Sequence, residues 1–392
     1  MPTPIYLDYN ATTPLAPEVL EAMLPYLRGD FGNPSSIHEF GRRAKAALLE
    51  SRETLASFLS ASGSEIVFTA SGTEADNLAI FGVVGAEEEE ARPRRHLVTS
   101  TIEHHAVLYV MRHLEKKGYE VTYLPVDRGG RVDEAALRRA LRPDTLLVSI
   151  MSANNETGVI QSVEEFARIS HEAGALFHTD AVQACGKIAV SVEDSLADLL
   201  SLSAHKLYGP KGVGALYVRR GTPFKPVFRG GGQERARRPG TENVAGIVGL
   251  AEAARRAGAL LTEESARLQA LREEIELSIL GGIPGSHLNG EGSARTPNTA
   301  NFRFDDVDGE DLVKGLDRDG FALSTGAACS AGAVAPSHVL IAMGLTPREV
   351  QGSIRVSLGR ATRAEDARTF TAALRKAVEA ARTKPRTDAA SA

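Results

Sequence analysis

Several features of common protein classes are missing from this 392-residue chain. It has only two cysteines, Cys185 and Cys329, so at most one disulfide can form. It has no excess of positive charge, since 45 lysines and arginines face 50 aspartates and glutamates. No apolar run approaches the about 20 residues that a membrane-spanning helix needs. These absences argue against a disulfide scaffold, a general nucleic-acid binder and a membrane protein.

Familiar signal and catalytic motifs are also missing. The amino-terminal sequence has neither the basic nor the apolar region of a secretory signal, so we expect a cytoplasmic protein with reduced cysteines. There is no Gly-x-x-x-x-Gly-Lys-Ser/Thr loop and no Gly-x-Ser-x-Gly elbow. Residues 209–214 are glycine-rich but precede a strand pattern, so they do not support a dinucleotide site.

Apolar runs alternate with amphipathic stretches along the first 220 residues. This order predicts an α/β fold with a mostly parallel central sheet flanked by helices. The predicted strands cover 65–69, 96–100, 119–124, 145–151, 175–179, 196–202 and 213–218, and the predicted helices between them cover 74–89, 106–117, 133–141 and 164–173.

The pattern changes after residue 240, where a long helical region is followed by a mixture of strands and helices. We predict an extended segment at 1–15 that packs on the small domain or a partner, a large α/β domain at 16–254, a small α+β domain at 255–382 and a disordered tail at 383–392. The elements predicted after residue 240 are helices at 241–280, 309–319 and 364–381 and strands at 299–304 and 353–358.

Lys206 follows an apolar strand pattern and Asp180 lies at the end of a different strand pattern, where open α/β sheets bind ligands. A lysine there can form a Schiff base with an aldehyde cofactor, and Ser203 and His205 can bond an anion beside it. An aspartate can hold the ring nitrogen of pyridoxal phosphate protonated, with Gln183 near the phenolic oxygen. The alternatives are a surface lysine and a helix-capping aspartate.

Three other segments carry weaker signals. Gly72 and Thr73 start a helix, whose amino terminus favours a phosphate, although a plain cap explains them equally. His104 offers an imidazole for ring stacking or proton transfer, with metal binding as the rival, although no paired-histidine or paired-cysteine pattern accompanies it. Asn155 offers an amide to a cofactor oxygen or simply forms a turn.

The last two candidates lie in the carboxyl-terminal part. Cys329 is surrounded by small residues, as suits a nucleophile that enters and leaves a pocket. Cys185 fits a packing role better. Arg355 lies in an alternating strand pattern, either as a solvent-facing charge or as a bidentate clamp for a carboxylate.

Together these segments resemble the fold-type I pyridoxal phosphate enzymes of the class-V aminotransferase kind, and specifically the cysteine desulfurases of the NifS/IscS type. The resemblance covers nearly the whole chain, and its specificity comes from the collinear order of the motifs. The matching segments are 6–13, 32–36, 69–77, 103–105, 154–158, 178–183, 203–206, 237–243, 328–330 and 353–360.

The resemblance implies the cofactor pyridoxal 5'-phosphate and a role for each candidate. Lys206 matches the Schiff-base lysine, Asp180 the partner of the pyridine nitrogen, and His104 the stacking, proton-transferring histidine. The other implied cofactor contacts are Asn155 and Gln183, with Gly72, Thr73, Ser203 and His205 around the phosphate.

The remaining implied roles concern the substrate and the partners. Arg355 and Asn155 match the positions that hold the substrate carboxylate. Cys329 matches the nucleophile that accepts sulfur as a persulfide, and it is also implied as a transient ligand of an iron–sulfur cluster. Thr241 matches a threonine that reaches the neighbouring subunit's phosphate, which implies a homodimer. No resident metal site is implied.

The implied activity converts L-cysteine to L-alanine and delivers the sulfur to an iron–sulfur scaffold or another acceptor protein. The residues at 327–328 and 331–335 depart from the family pattern, which leaves loop mobility and partner choice open. A selenocysteine lyase or an aminotransferase on the same scaffold is the alternative. A non-catalytic sulfur-relay protein is a third possibility, disfavoured because Lys206, Asp180 and Cys329 are all present.

Overall fold

The computed structural model describes residues 4–325 and 336–383. Its larger sheet has seven strands in the order β2-β8-β7-β6-β5-β3-β4, and every neighbouring pair is parallel except those that involve β8. The predicted mostly parallel sheet is therefore confirmed. Its strands are β2 (Ile66–Thr69), β3 (His96–Ser100), β4 (Glu120–Leu124), β5 (Thr145–Ser149), β6 (Leu176–Asp180), β7 (Leu199–Ser203) and β8 (Gly214–Val218).

Burial explains why these runs form strands. All five residues of β5 are buried, and so are all five of β7, as expected when helices cover both faces of a parallel sheet. The helices that precede or lie between these strands, or connect to the second sheet, are α1 (Pro17–Arg28), α2 (Glu39–Leu59), α3 (Gly72–Glu87), α4 (His105–Glu115), α5 (Glu134–Ala140), α6 (Val163–Glu172), α7 (Val192–Ser195) and α8 (Val244–Gly282).

A second, three-stranded antiparallel sheet has the order β12-β10-β9 and packs with carboxyl-terminal helices around its own apolar cluster. The predicted strand at 299–304 is confirmed with the same bounds. The elements of this part are β9 (Ser286–Leu288), β10 (Thr299–Phe304), α9 (Gly309–Arg318), β11 (Phe321–Ala322), α10 (His338–Ala342), α11 (Pro347–Gln351), β12 (Ser353–Ser357) and α12 (Ala364–Thr383).

The amino-terminal segment connects the two sheets. Its short strand β1 (Ile5–Tyr6) pairs in parallel with β11, and the chain then crosses to the residues after β7, where Thr13 donates to the carbonyl of His205. The predicted domain boundary at 254/255 falls inside α8, a single 39-residue helix that packs on both parts. The division into domains stays a prediction.

Two features of the described residues bear on the function classes considered above. Their helices are too short or too polar to cross a bilayer. The same residues hold no cluster of three or more histidine, cysteine, aspartate or glutamate side chains arranged to bind a metal ion.

Candidate active site

Lys206 and Asp180 lie at the carboxyl ends of adjacent parallel strands. Asp180 is the last residue of β6 and pairs in register with Ser201 of β7. Lys206 follows β7 by three residues, at the end of a 3-10 turn. Its Nζ donates to the carbonyls of Asn10 at 2.5 Å and Ala11 at 2.8 Å, so the lysine side chain is turned inward. The alternative of a lysine in bulk solvent is therefore wrong.

Asp180 combines a local turn with an unusual electrostatic setting. Its Oδ1 accepts the N–H of Val182 at 2.9 Å within a turn, and the next helix, α7, begins only at Val192, so the helix-capping alternative is wrong. Burial raises the pKa of Asp180 to about 6, against the opposing influence of this N–H group and of the Lys206 charge. The side chain is thus a buried carboxylate close to a lysine, which is what a cationic ring nitrogen requires.

Two of the residues predicted to hold a phosphate, Gly72 and Ser203, lie together at the start of α3. Ser203 Oγ is buried and makes no hydrogen bond to any described residue. A Cβ at Gly72 would lie 2.8 Å from Val182 Cγ2 and 3.4 Å from Ser203 Cβ, so only glycine allows this approach. The first-turn N–H groups of a helix have no partner within the helix. An unpaired hydroxyl beside a helix amino terminus fits a phosphate-bearing cofactor.

The other two cradle candidates differ in exposure. Thr73, the second residue of α3, is exposed. His205 is half-buried, with Nδ1 3.1 Å from Thr12 Oγ1. Burial, followed by the Lys206 charge, lowers the pKa of His205 to about 4, so it is neutral near pH 7. Ser71 caps α3 by accepting the N–H of Glu74, so the capping interpretation of this segment is also correct.

His104 stands at the amino terminus of α4, where its Nδ1 accepts the N–H of Ala106 at 3.1 Å. This contact assigns the ring proton of the neutral imidazole to Nε2. Burial, followed by the Lys206 charge, lowers the pKa of His104 to about 4. At neutral pH the residue is therefore an uncharged donor near Lys206, suited to proton transfer and to packing against a flat ring.

Asn10 was missed as a site residue by the sequence analysis. It is 2 % exposed. Its carbonyl accepts Lys206 Nζ and Gln183 Nε2, the latter at 3.0 Å. Its Nδ2 donates to the carbonyl of Asn155 at 3.1 Å. One asparagine of the amino-terminal segment therefore contacts three predicted site residues. The polar residues that follow β1 were the sequence signal that could have identified Asn10.

A second buried lysine was missed as well. Lys187 Nζ donates to Asn10 Oδ1 at 3.1 Å and makes a short hydrogen bond to Gln183 Oε1. Burial, followed by the charge of Lys206, lowers the pKa of Lys187 well below its ordinary value. Gln183 is thus held between Lys187 and Asn10. Gln183 and Lys187 are four residues apart, and this spacing was the sequence signal for the contact between their side chains.

Arg355 is buried, at 2 % exposure, so the solvent-facing alternative is wrong. It lies on β12, and its Nη1 donates to the carbonyl of Asn155 at 3.0 Å. Its Nη2 forms an ion pair with Asp8 Oδ1 at 2.6 Å. Its Nε is buried and has no hydrogen-bond partner among the described residues. The alternating pattern could not show which face of β12 is covered.

Thr241 is exposed on the loop that precedes α8. The loop is strained upstream, because Glu234, Arg235 and Ala236 have φ of 47°, 57° and 61°, the left-handed region. Arg52 anchors it through a buried, two-pronged ion pair with Glu234, with N–O distances of 2.6 and 2.9 Å. The loop is therefore held in one conformation.

The structure describes only one of the two cysteines. Cys329 lies outside the described residues. Cys185 is buried and free, and burial raises the pKa of its thiol to about 12. An uncharged thiol is a poor nucleophile, so Cys185 has the packing role that the sequence favours.

Known proteins resemble the chain over most of its length. The profile of the aminotransferase class-V family matches residues 5–370. The cysteine desulfurase IscS of Dictyoglomus turgidum is 49% identical over 379 residues, which are 97% of this chain and 95% of that protein. A solved NifS-like protein has a TM-score of 0.90 at 39% identity and covers 96% of this chain and 100% of its own. SspA, solved in complex with cysteine, has a TM-score of 0.79 at 37% identity, covering 90% and 98%.

Proposed function

The chain belongs to the class-V aminotransferase family, and we propose that it is a cysteine desulfurase that converts L-cysteine to L-alanine and takes the sulfur onto Cys329 as a persulfide. The observation that carries the proposal is the meeting of Lys206 and Asp180 at neighbouring strand ends. Ser203, the last residue of β7, carries a buried hydroxyl without a hydrogen-bond partner among the described residues. The identity to named cysteine desulfurases supports the choice of reaction.

The residues of the site fit pyridoxal 5'-phosphate. Asp180 would face the ring nitrogen, Lys206 would hold the aldehyde carbon, and Asn155, Gln183 and His104 would contact the ring. Gly72, Thr73, Ser203 and His205 would hold the phosphate, together with Thr241 of the partner. When bound, this cofactor supplies an electron sink for the carbon next to the substrate amine.

The chain's own residues supply the remaining chemistry. Arg355 and the Asn155 amide hold the substrate carboxylate. Lys206 Nζ takes the α-proton, and neutral His104 donates a proton from Nε2. The Cys329 thiolate then attacks the substrate sulfur, so an S–S bond forms and the Cβ–S bond breaks. The carbon skeleton keeps the electron pair of that bond, gains a proton at Cβ and regains the α-proton at Cα from Lys206, which yields alanine.

Cys329→Ser is the sharpest test of the reaction. We expect it to abolish alanine release from L-cysteine while the visible absorbance of the bound cofactor remains. Cys185→Ala is the matched control, and since that thiol is buried and inert we expect turnover to stay within about twofold. Full turnover by Cys329→Ser, or its loss in Cys185→Ala, would contradict the proposal.

The alternative reactions have different products. An aminotransferase consumes a 2-oxo acid and releases no sulfur, and a selenocysteine lyase prefers the selenium substrate. We expect alanine and protein-bound sulfur in equal amounts from L-cysteine, with no requirement for a 2-oxo acid. Alanine that forms only when a 2-oxo acid is supplied would favour the aminotransferase instead.

We also propose a homodimer. Thr241 is exposed, as a residue that reaches a partner subunit must be. Large apolar side chains around α1 and α2 are exposed too, among them Phe31 at 73 % and Ile37 at 92 %, with Leu27 and Phe40 beside them. Such patches mark protein interfaces. Light scattering should give twice the chain mass, and a monomeric mass would refute the dimer.

The fate of the sulfur is the last part of the proposal. We propose that Cys329 passes it to an iron–sulfur scaffold or another acceptor protein, with Cys329 as a transient ligand of an iron–sulfur cluster during delivery. The persulfide route requires a reduced thiol, which supports a reducing compartment such as the cytoplasm. Transfer of labelled sulfur from Cys329 to a purified scaffold protein tests this step.

A further inference from the structure

The ion pair between Asp8 and Arg355 has no part in the mechanism above. Asp8 lies in the amino-terminal segment and Arg355 on β12, 347 residues apart in the chain. The two side chains meet at 2.6 Å, where Arg355 is 2 % and Asp8 18 % exposed. A pair this short and this sheltered from solvent is weakly screened. Asp8 therefore neutralises the guanidinium in this structure.

The guanidinium still has capacity for another acceptor. Nη1 is used by the carbonyl of Asn155 and Nη2 by Asp8, whereas Nε is buried with no partner among the described residues. A buried N–H without an acceptor is costly, and a carboxylate is the acceptor that best matches a guanidinium. An incoming carboxylate would, however, meet the negative charge of Asp8 at the neighbouring nitrogen.

We infer that Asp8 is a specificity-determining residue that competes with the amino-acid carboxylate for Arg355 and so limits the affinity for both substrate and product. The inference rests on the proposed function only in taking Arg355 as the carboxylate-binding residue. A carboxylate ligand must displace Asp8 or bind beside it, and either event costs binding free energy. Because the product binds more weakly in the presence of Asp8, alanine leaves the site faster.

Removal of the Asp8 charge has two linked consequences. The ligand-free protein loses stability, because the buried guanidinium is left without its counter-ion. A bound carboxylate restores that counter-ion, so ligand binding becomes tighter and stabilises the protein more. A residue that merely oriented Arg355 would show the opposite sign, since its loss would weaken carboxylate binding.

The test compares the wild-type holoenzyme with Asp8→Asn. L-Alanine is the carboxylate probe, and ethylamine, which lacks the carboxylate, is the control ligand. Calorimetric titration should show that Asp8→Asn binds alanine about tenfold more tightly, with ethylamine unchanged. Thermal unfolding should show a lower ligand-free midpoint and a larger upward shift on addition of alanine. Asp8→Ser should behave alike and serves if Asp8→Asn does not fold.

Two further variants test whether the Asp8 charge, acting on Arg355, causes the change in alanine affinity. Tyr6→Phe disturbs the same segment without a change of charge, because the Tyr6 hydroxyl donates to the carbonyls of Asp8 and Thr12. We expect it to bind alanine as the wild type does. In an Arg355→Gln background the effect of Asp8→Asn on alanine affinity should vanish.

Weaker or unchanged alanine binding by Asp8→Asn, or no alanine binding by any variant, overturns the inference. An equal gain for ethylamine, or a gain that persists with Arg355→Gln, overturns it too. Alanine formation from cysteine is measured separately. A protein that fails to desulfurate cysteine but shows the expected alanine affinities refutes the proposed function and leaves this inference standing.

Discussion

The carboxyl edge of the larger sheet and the amino-terminal segment build the same site by different means. At the sheet edge, Asp180 and Lys206 are placed by the strands that they follow. In the amino-terminal segment, Asp8 and Asn10 belong to no strand of the larger sheet and are placed by side-chain hydrogen bonds to distant residues. The first region supplies the residues that are proposed to react with the cofactor and substrate. The second region fixes the positions of site side chains through hydrogen bonds.

This difference predicts different responses to substitution. Residues at the sheet edge rest on a buried strand framework, so their loss should affect activity more than folding. Residues of the amino-terminal segment satisfy buried polar groups, so their loss should affect both.

Lys206→Ala is expected to have the largest effect. Turnover of L-cysteine should fall by about 10³-fold or more, because the residue is proposed to hold the cofactor and to move the proton. The free energy of unfolding should fall by no more than about 1–3 kcal/mol, the cost of two carbonyls left without Nζ. Steady-state kinetics and urea unfolding measure the two quantities. Lys117→Ala, an exposed lysine on another surface, should change neither.

Asn10→Ala tests the prediction for the amino-terminal segment. It removes the Asn10 side chain as a buried partner of Lys187 Nζ, Asn298 Nδ2 and the carbonyl of Asn155, each of which keeps only one other hydrogen bond. We expect the free energy of unfolding to fall by about 2–4 kcal/mol, with a loss of cofactor affinity. Asn33→Ala, at an exposed position, should cost less than about 1 kcal/mol. An Asn10 variant as stable as the wild type would break the comparison.

The pH dependence of stability should come from the sheet edge. Burial raises the pKa of Glu103 from 4.5 to about 8. The folded protein therefore binds a proton that the unfolded chain loses, and the stabilising contribution of protonated Glu103 is complete below about pH 4.5 and disappears as the pH rises to 8.

Urea unfolding should show this contribution as a fall of at least about 1 kcal/mol between pH 5 and pH 8. Glu103→Gln removes the titrating group and should flatten that part of the profile. If the variant keeps the full slope, Glu103 does not titrate in this range.

Ala236→Gly is expected to have the smallest effect and the opposite sign. Ala236 has a φ of 61°, which costs an alanine more than a glycine. The substitution should raise the free energy of unfolding by up to about 1 kcal/mol. Glycine should add little flexibility to the folded loop before Thr241, because the ion pair of Arg52 with Glu234 already anchors that loop. Ala259→Gly, at an exposed position in the interior of α8, should lower the free energy of unfolding by a similar amount.

The sheet edge could be predicted from the sequence because its signals are local. One predicted strand ends just before Asp180 and another shortly before Lys206, and parallel strands present such ends at one edge. The same reasoning predicted β10 with its observed bounds.

The amino-terminal segment could not be predicted in this way. The partners of Asn10 lie at positions 155, 183, 187, 206, 298, 299 and 357, and no local pattern links them. The same holds for Arg355, whose partner Asp8 lies 347 residues away in the chain. The helix α1 was not predicted, and Pro25 in its interior argues against a helix locally. The helix α2 was missed although its buried positions follow helical spacing.

The most direct test of the account locates the transferred sulfur. The holoenzyme is treated with L-cysteine, and mass spectrometry of its peptides measures the added sulfur atom at each cysteine while alanine is quantified. The account predicts added sulfur at Cys329 in proportion to the first turnover of alanine, none at Cys185, and neither product in Lys206→Ala. Added sulfur at Cys185, or at Cys329 in Lys206→Ala, would contradict it.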